Sequence, residues 1–309
     1  MNGTLHGRTY PIGGKPELEI IADDQFIHSL VDLRDVRERP CRSAVRLFVL
    51  GGEWLPAMDM PPEETYPVIM NTEDVIAFGD TKRRWADWYG KARSVVFTEA
   101  GIGVIVVPGF SRYNPDFIVR LVIRPVLDSL LAARGYLPLH ASAVMTPGGA
   151  CIVAGHTGTG KTTLLGGLLK AGFPFIGDDR VLAKRHEDGR ILVSSLPEYI
   201  RAGIDDTGPK RRLVPTRIHT EPSRPRLVFY PDSLEQSEGV REIGPAEAAG
   251  RILDLAPFAR TDPLFVNAFD AAVELAENAA HFIIGWWGDP ALREKAVLEV
   301  VAAMTGPHP

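Results

Sequence analysis

The sequence predicts an α/β fold in two parts, and three observations support that prediction. Residues 1–112 contain short runs of branched apolar residues bounded by Gly, Asn and Asp, which are typical of β-strands. Residues 113–309 alternate between apolar runs of strand length and amphipathic stretches of helix length. From Pro245 onward the stretches have helical periodicity. We therefore expect an N-terminal β-rich module, followed by an alternating α/β domain with C-terminal helices.

The composition is that of a folded protein with a sizeable core. The chain has 309 residues, 45% of them hydrophobic and 24% charged, which suggests about two domains. A net charge of −5 argues against a nucleic-acid partner. Neither a secretory signal nor a membrane span is predicted, so we expect a cytoplasmic protein. Cys41 and Cys151 are far apart in sequence, which favours two reduced thiols over a disulfide.

Strands and one helix are predicted in the first half of the chain. The helical pattern of residues 117–135 contains Pro125, which should kink or split the helix. The predicted strands lie at 43–51, 66–71 and 74–79, with a hairpin at 93–109.

The α/β domain is predicted from alternating elements. It comprises strands at 139–145, 150–155, 173–179 and 226–231, a helix from Lys161 to about Ala171, a hairpin turning at residues 187–189, and C-terminal helices. The segment 202–226 is rich in Gly, Pro and charge, and it is long enough to be a functional loop.

The stretch GHTGTGKT at 155–162 fits the P-loop pattern G-x-x-x-x-G-K-[ST]. Its glycines allow backbone N–H groups to surround phosphate oxygens, Lys161 can neutralise the β- and γ-phosphates, and the Thr162 hydroxyl can bind Mg²⁺. An apolar strand precedes the motif and an amphipathic helix follows it, which favours a phosphate site over a simple turn. The predicted nucleotide-binding residues are Gly155, His156, Thr157, Gly158, Thr159, Gly160, Lys161, Thr162 and Thr163.

Two adjacent acids, Asp178 and Asp179, follow the next predicted strand in FPFIGDDR. Ligands of α/β sheets bind beyond the carboxyl ends of strands, so these acids lie at the expected end. One carboxylate can complete a Mg²⁺ site beside a P-loop, and the second can accept a proton from an attacking hydroxyl. The alternative is a solvated loop cap.

Three ordered motifs, LHASAV at 139–144, GHTGTGKTT at 155–163 and IGDDRV at 176–181, resemble the catalytic domain of the HPr kinase/phosphorylase family. The resemblance covers about residues 136–200 and is looser as far as about 300. Phosphoenolpyruvate carboxykinase shares this nucleotide fold, and GTGKTT followed by GDD is similar to that enzyme too. The chain is short for a carboxykinase, and its metal-ligand Lys/His constellation was not found in the sequence.

The resemblance implies an ATP- and Mg²⁺-dependent kinase and assigns roles within it. His140 would lie beside the catalytic aspartates and help set their protonation. Asp179 would accept the proton of the substrate hydroxyl, while Asp178 and Thr162 would support Mg²⁺. The reverse assignment of the two aspartates remains open, and His140 could instead be a hydrogen-bonded core residue.

The family also implies a second metal partner and a phosphate clamp. Glu198 is the nearest candidate for the metal-binding glutamate, although LPEYIRAG lacks the family's Glu-Ile-Arg-Gly. Basic residues of a later loop approach the phosphates in the family. Lys210, Arg211 and Arg212 lie in such a loop here, where a solvated charge run is the alternative.

Two departures from the family bear on the acceptor. Thr163 stands where bacterial HPr kinases usually have Glu, and the loop 202–226 lacks the family signature. The chain is thus more similar to HPr kinase-like proteins that phosphorylate serine in a peptide or as the free amino acid. The expected partner is a peptide, protein or small-molecule hydroxyl acceptor, and the rings formed by the family suggest a homo-oligomer. The alternatives are a nucleotide-sensing or ATP-hydrolysing module and, less favoured, a carboxykinase-like enzyme acting on a small acid.

Overall fold

The structure is a computed structural model that describes residues 6–12, 15–22, 45–51, 58, 60–61, 65–109, 112–113, 117–196, 200–202, 211–213, 215–232, 239–257, 262, 264–285 and 289–306. Within those ranges it is a mixed α/β protein with several sheets and five α-helices. The chain forms two compact units. Unit 1 comprises Met1–Gly135 and Pro257–Asn267, and unit 2 comprises Tyr136–Ala256 and Ala268–Pro309.

Unit 1 contains an eight-stranded sheet whose strand order is β1-β2-β3-β8-β7-β6-β5-β4. The pairings β2–β3 and β3–β8 are parallel, and the others are antiparallel. The predicted hairpin at 93–109 is confirmed as β7 and β8. The strands are β1 His6–Ile12, β2 Lys15–Ala22, β3 Val45–Gly51, β4 Val68–Asn71, β5 Ile76–Gly79, β6 Arg83–Asp87, β7 Arg93–Phe97 and β8 Ile102–Val107.

The helical segment that follows changes from a π-helix to an α-helix next to Pro125. Phe117–Ile123 forms a π-helical segment, and helix α1 spans Arg124–Ala133 with Pro125 in its first turn. The helix is continuous through Ile123, and its type changes next to Pro125, which has no N–H to continue the preceding hydrogen-bond ladder. This segment belongs to unit 1, and the predicted boundary at 112/113 stays a prediction.

Unit 2 is built on a six-stranded sheet of order β12-β10-β11-β17-β19-β18, and it also contains two smaller sheets. Its strands are β9 Tyr136–Leu139, β10 Ala141–Thr146, β11 Gly149–Ala154, β12 Phe175–Gly177, β13 Val181–Arg185, β14 Ile191–Ser195, β15 Ile200–Ala202, β16 Arg211–Leu213, β17 Pro225–Pro231, β18 Val240–Ile243 and β19 Ala280–Ile284. The remaining helices are α2 Lys161–Lys170, α3 Pro245–Asp254, α4 Phe265–Asn278 and α5 Pro290–Thr305.

Long-range pairing changes three local predictions in unit 2. The predicted strand 139–145 is interrupted at His140, because β9 pairs with β13 whereas β10 pairs with β11 and β12. The predicted loop 202–226 contains strand β16, which pairs with β15. Strand β19 lies between two helices, where the sequence pattern predicts none, and is held by β17 and β18.

Helices α2 and α5 pack against the core of the six-stranded sheet. Leu165 of α2 and Val301 of α5 are buried in one apolar cluster with sheet residues, including Cys151. Burial raises the pKa of the Cys151 thiol to about 12, and the thiol is reduced. Cys41 lies outside the described residues, so the two-thiol prediction stays a prediction. Among the described helices, none has the length and apolar character needed to cross a membrane.

Candidate functional site

The predicted site residues gather at one edge of the six-stranded sheet. Strands β11 and β12 are both antiparallel to β10, and β17 is parallel to β11, so these three strands end at the same edge. The glycine-rich loop 155–160 follows β11, Asp178 follows β12, and Asp232 follows β17. His140 precedes the oppositely directed β10 and therefore lies at that edge too. The topology brings together residues that are distant in sequence.

The glycine-rich loop has the backbone that its sequence requires. Gly158 and Gly160 have φ angles of +86° and +92°, in the left-handed region that favours glycine. A Cβ on Gly155 would lie 2.8 Å from the Thr159 Oγ1 atom, so a larger residue there would require the Thr159 side chain to move. Helix α2 begins immediately afterwards at Lys161, and it directs its positive end towards the loop.

Lys161 lies across the loop and does not extend into solvent. Its side chain is 7% exposed, and Nζ donates a hydrogen bond of 2.8 Å to the His156 carbonyl oxygen. The Thr159 hydroxyl donates to the same carbonyl at 2.9 Å. An ammonium group is thus held at the mouth of a loop whose N–H groups can bind an anion. Of the neighbouring predicted binding residues, Thr162 is half-buried, while His156, Thr157 and Thr163 are exposed.

The two aspartates have different surroundings. Asp178 is 4% exposed, and its Oδ1 atom accepts hydrogen bonds from the Ser142 hydroxyl at 2.6 Å and from the Asp179 N–H at 3.0 Å. Asp179 is half-buried, with its side chain 36% exposed. Its φ angle is +64°, a conformation that aspartate tolerates better than most residues. One carboxylate is buried and held by two hydrogen bonds, and the other is partly exposed beside His140.

His140 connects the acidic pair with the glycine-rich loop. Its Nε2 atom lies 2.9 Å from Asp179 Oδ1. Its backbone carbonyl accepts a hydrogen bond from Gly155 N–H at 3.3 Å, and its N–H donates to the Leu255 carbonyl at 3.4 Å. The interruption between β9 and β10 therefore places the imidazole beside Asp179 and the backbone beside the loop. The structure thus brings His140 and Asp179 together, and the catalytic roles that the resemblance implies for them stay predictions.

Four further predicted site residues are the metal and clamp candidates. Glu198 and Lys210 lie outside the described residues. Arg211 and Arg212 belong to strand β16, where they pair with Ala202 and Arg201. The metal and clamp roles of these four residues stay predictions. Within the described ranges, no group of three or more His, Cys, Asp or Glu residues is arranged to hold a metal ion.

Sequence reasoning missed two charged residues on the opposite side of the loop. Asp232, at the end of β17, lies 3.2 Å from Arg251 (Oδ2 to Nη1). Arg293 of α5 donates from Nη1 to the Thr159 carbonyl at 3.1 Å. A signal for Arg293 was present in the sequence, since it continues a buried stripe with Val297 and Val301 at four-residue spacing. Asp232 has a weaker signal, an acid directly after a predicted strand.

Comparisons with known proteins give little beyond this geometry. No family model and no curated protein matches the chain. The solved structure of the Hpr(Ser) kinase/phosphatase from Coxiella burnetii is similar at 15% sequence identity and a TM-score of 0.34, covering 55% of this chain and 99% of that one. A similarity this low does not indicate a function.

Proposed function

We propose that the protein is an ATP- and Mg²⁺-dependent kinase that transfers the γ-phosphate to a hydroxyl, with serine in a peptide, in a protein or as the free amino acid as the acceptor. The observation that carries the proposal is the His140–Asp179 pair on the same sheet edge as a loop able to hold phosphate. A loop alone would suffice for nucleotide binding. Activation of a hydroxyl requires in addition a solvent-accessible carboxylate, and an imidazole can orient it.

The oxygen donors at this edge fit Mg²⁺. The Thr162 hydroxyl and the Asp178 carboxylate are hard oxygen ligands, and Mg²⁺ is usually held by one or two carboxylates together with substrate phosphates and water. Two hydrogen bonds keep Asp178 in one orientation. When bound, the ion would neutralise charge on the β- and γ-phosphates.

The protein's own residues would divide the remaining work. The acceptor oxygen forms a bond to the γ-phosphorus while the bond to the ADP oxygen breaks, and the hydroxyl proton passes to Asp179. His140 holds the Asp179 carboxylate in position through its Nε2 contact. Lys161 exchanges the His156 carbonyl for a phosphate oxygen and offsets negative charge there. Most of the rate would come from positioning and charge stabilisation.

A radiolabel assay tests the proposal directly. The protein is incubated with γ-labelled ATP, Mg²⁺ and a panel of serine peptides, intact protein extracts and free serine, and the label is followed in acceptor and in free phosphate. Label on a serine supports the kinase. Label only in free phosphate would contradict transfer and indicate an ATP-hydrolysing module, and label on an acid without a hydroxyl would indicate carboxykinase-like chemistry.

A matched pair of variants excludes a contaminating kinase. Lys161→Met removes the buried ammonium at the loop, and we expect at least about a 100-fold loss of transfer. Lys170→Met makes the same change on the exposed end of α2 and should leave transfer within about twofold. Equal activity in the two variants would show that the signal does not come from this site.

A further inference from the structure

Arg293 is a charged residue in the apolar face of helix α5. Arg293, Val297 and Val301 follow one another at four-residue spacing, and all three are buried. The helix approaches α2 closely, since a Cβ added to Gly167 would lie 2.3 Å from Cδ of Glu294. This packing places the first turns of α5 against the second half of α2. Arg293, 6% exposed, is held against the glycine-rich loop.

The guanidinium contacts the loop at one peptide. Nη1 of Arg293 donates to the Thr159 carbonyl at 3.1 Å, and a Cβ on Gly160 would lie 3.0 Å from the same nitrogen. The Thr159 carbonyl and the Gly160 N–H belong to one amide. A cation that donates to the carbonyl polarises that amide and makes its N–H a stronger donor.

The charge of Arg293 is incompletely compensated where it lies. Its Nε and Nη2 atoms are buried and have no hydrogen-bond partner among the described residues. Burial lowers the pKa of Arg293, and the nearby Asp232 charge opposes that effect. Asp232 is already paired with Arg251. A buried cation is costly unless an anion offsets it. A phosphate bound by the loop would supply that anion, so this arrangement favours the anion-bound state.

We propose that Arg293 is a positioning residue of the triphosphate site, which holds and polarises the Thr159–Gly160 amide so that the loop binds the β- and γ-phosphates more tightly. The inference rests on the nucleotide-binding part of the proposed function only. It holds equally for a kinase and for an ATP-hydrolysing enzyme.

The test compares ligand affinities of wild type, Arg293→Met and Lys295→Met. The first variant removes the buried charge and keeps an unbranched stem. The second removes an exposed charge from the same helix. Calorimetry with Mg²⁺ measures the Kd of a non-hydrolysable ATP analogue, of inorganic pyrophosphate and of adenosine. We expect about tenfold weaker binding of the first two ligands by Arg293→Met, no change for adenosine, and changes within twofold for Lys295→Met.

A merely structural role would give a different pattern. Loss of such a role would lower the unfolding temperature of the ligand-free protein and weaken the binding of all three ligands alike. Wild-type affinity of folded Arg293→Met for pyrophosphate, or such uniform weakening, would overturn the proposal. If circular dichroism shows that Arg293→Met does not fold, Arg293→Gln replaces it, and the same two outcomes decide. Wild-type protein that binds the ATP analogue but transfers no phosphate would contradict the kinase proposal alone.

Discussion

The two sides of the glycine-rich loop carry acids in contrasting environments. On the β10–β12 side, Asp178 is held by a hydroxyl and an N–H, and Asp179 is held by an imidazole. On the β17 side, Asp232 is paired with the guanidinium of Arg251, whose Nε also lies 3.6 Å from Glu247. Both sides place an acid after a strand at the same edge. On the first side Asp179 has a histidine partner, whereas on the second side Asp232 has an arginine partner.

The roles that we propose for the two acids differ for the same reason. An arginine is always protonated, so its carboxylate partner is a poor proton acceptor. A histidine can be neutral or charged, so its partner can take up and release a proton within a working cycle. The position of an acid after a strand is therefore insufficient to assign a role, and the partner of each acid decides.

The largest predicted effect is that of replacing Asp179, on the first side of the loop. Asp179→Asn removes the proton acceptor and should lower the rate of phosphate transfer about 10²–10⁴-fold while nucleotide affinity changes little. Asp232→Asn on the other side should change the rate less than about tenfold. Single-turnover transfer and calorimetric nucleotide binding measure the two quantities. Exposed Asp270→Asn is the control. Equal losses in Asp179→Asn and Asp232→Asn would refute the distinction between the sides.

The next prediction concerns stability on the second side. Burial lowers the pKa of His281 from 6.5 to about 4, and its Nδ1 lies 3.0 Å from the Tyr230 hydroxyl. The folded pKa is the lower one, so the unfolded chain binds more protons between pH 6.5 and 4. Stability is therefore lost as the pH falls through that window and is unaffected above it.

The size of the expected loss of stability follows from the pKa shift of His281. Between pH 7 and pH 4 wild type should lose about 3 kcal/mol more of its free energy of unfolding than His281→Asn does. Urea unfolding at the two pH values measures the difference, and His186→Asn, an exposed histidine, is the control. Identical losses in wild type and His281→Asn would show that this imidazole is not the group responsible.

The smallest predicted effect is that of replacing Ser142, on the first side of the loop. Ser142→Ala removes the hydroxyl that donates to the buried Asp178 carboxylate, which leaves that carboxylate less well satisfied. We expect a loss of about 1–3 kcal/mol in the free energy of unfolding and a higher Mg²⁺ concentration for half-maximal activity. Ser129→Ala, whose hydroxyl bonds only within the exposed surface of α1, should cost less than about 1 kcal/mol. A loss for Ser142→Ala no larger than that of Ser129→Ala would argue against the Asp178 contact.

Local sequence was sufficient for the loop and the acidic pair. The spacing of Gly155, Gly160 and Lys161 specifies a turn and a helix start within one short segment, and Asp178 with Asp179 follows a strand of obvious apolar character. These features depend on neighbours in the chain, which periodicity and turn chemistry capture well.

What could not be predicted depends on distant pairings. The apolar run around His140 appears as one strand, and only its separate pairing with β13 and with β11 interrupts it. Arg293 contacts a carbonyl 134 residues away, a relationship that no local pattern contains. Strand β19 is short and becomes a strand through β17 and β18 on its two sides. Tertiary contacts decide such elements.

The single residue between β9 and β10 limits how this chain can vary in length. A one-residue insertion next to His140 would have to shift β10 by one position or form a bulge. A shift would turn Ser142 to the other face of the sheet and away from Asp178, because strand side chains alternate. A bulge would displace the His140 imidazole from Asp179. An insertion at this junction would therefore remove either the Ser142–Asp178 or the His140–Asp179 contact.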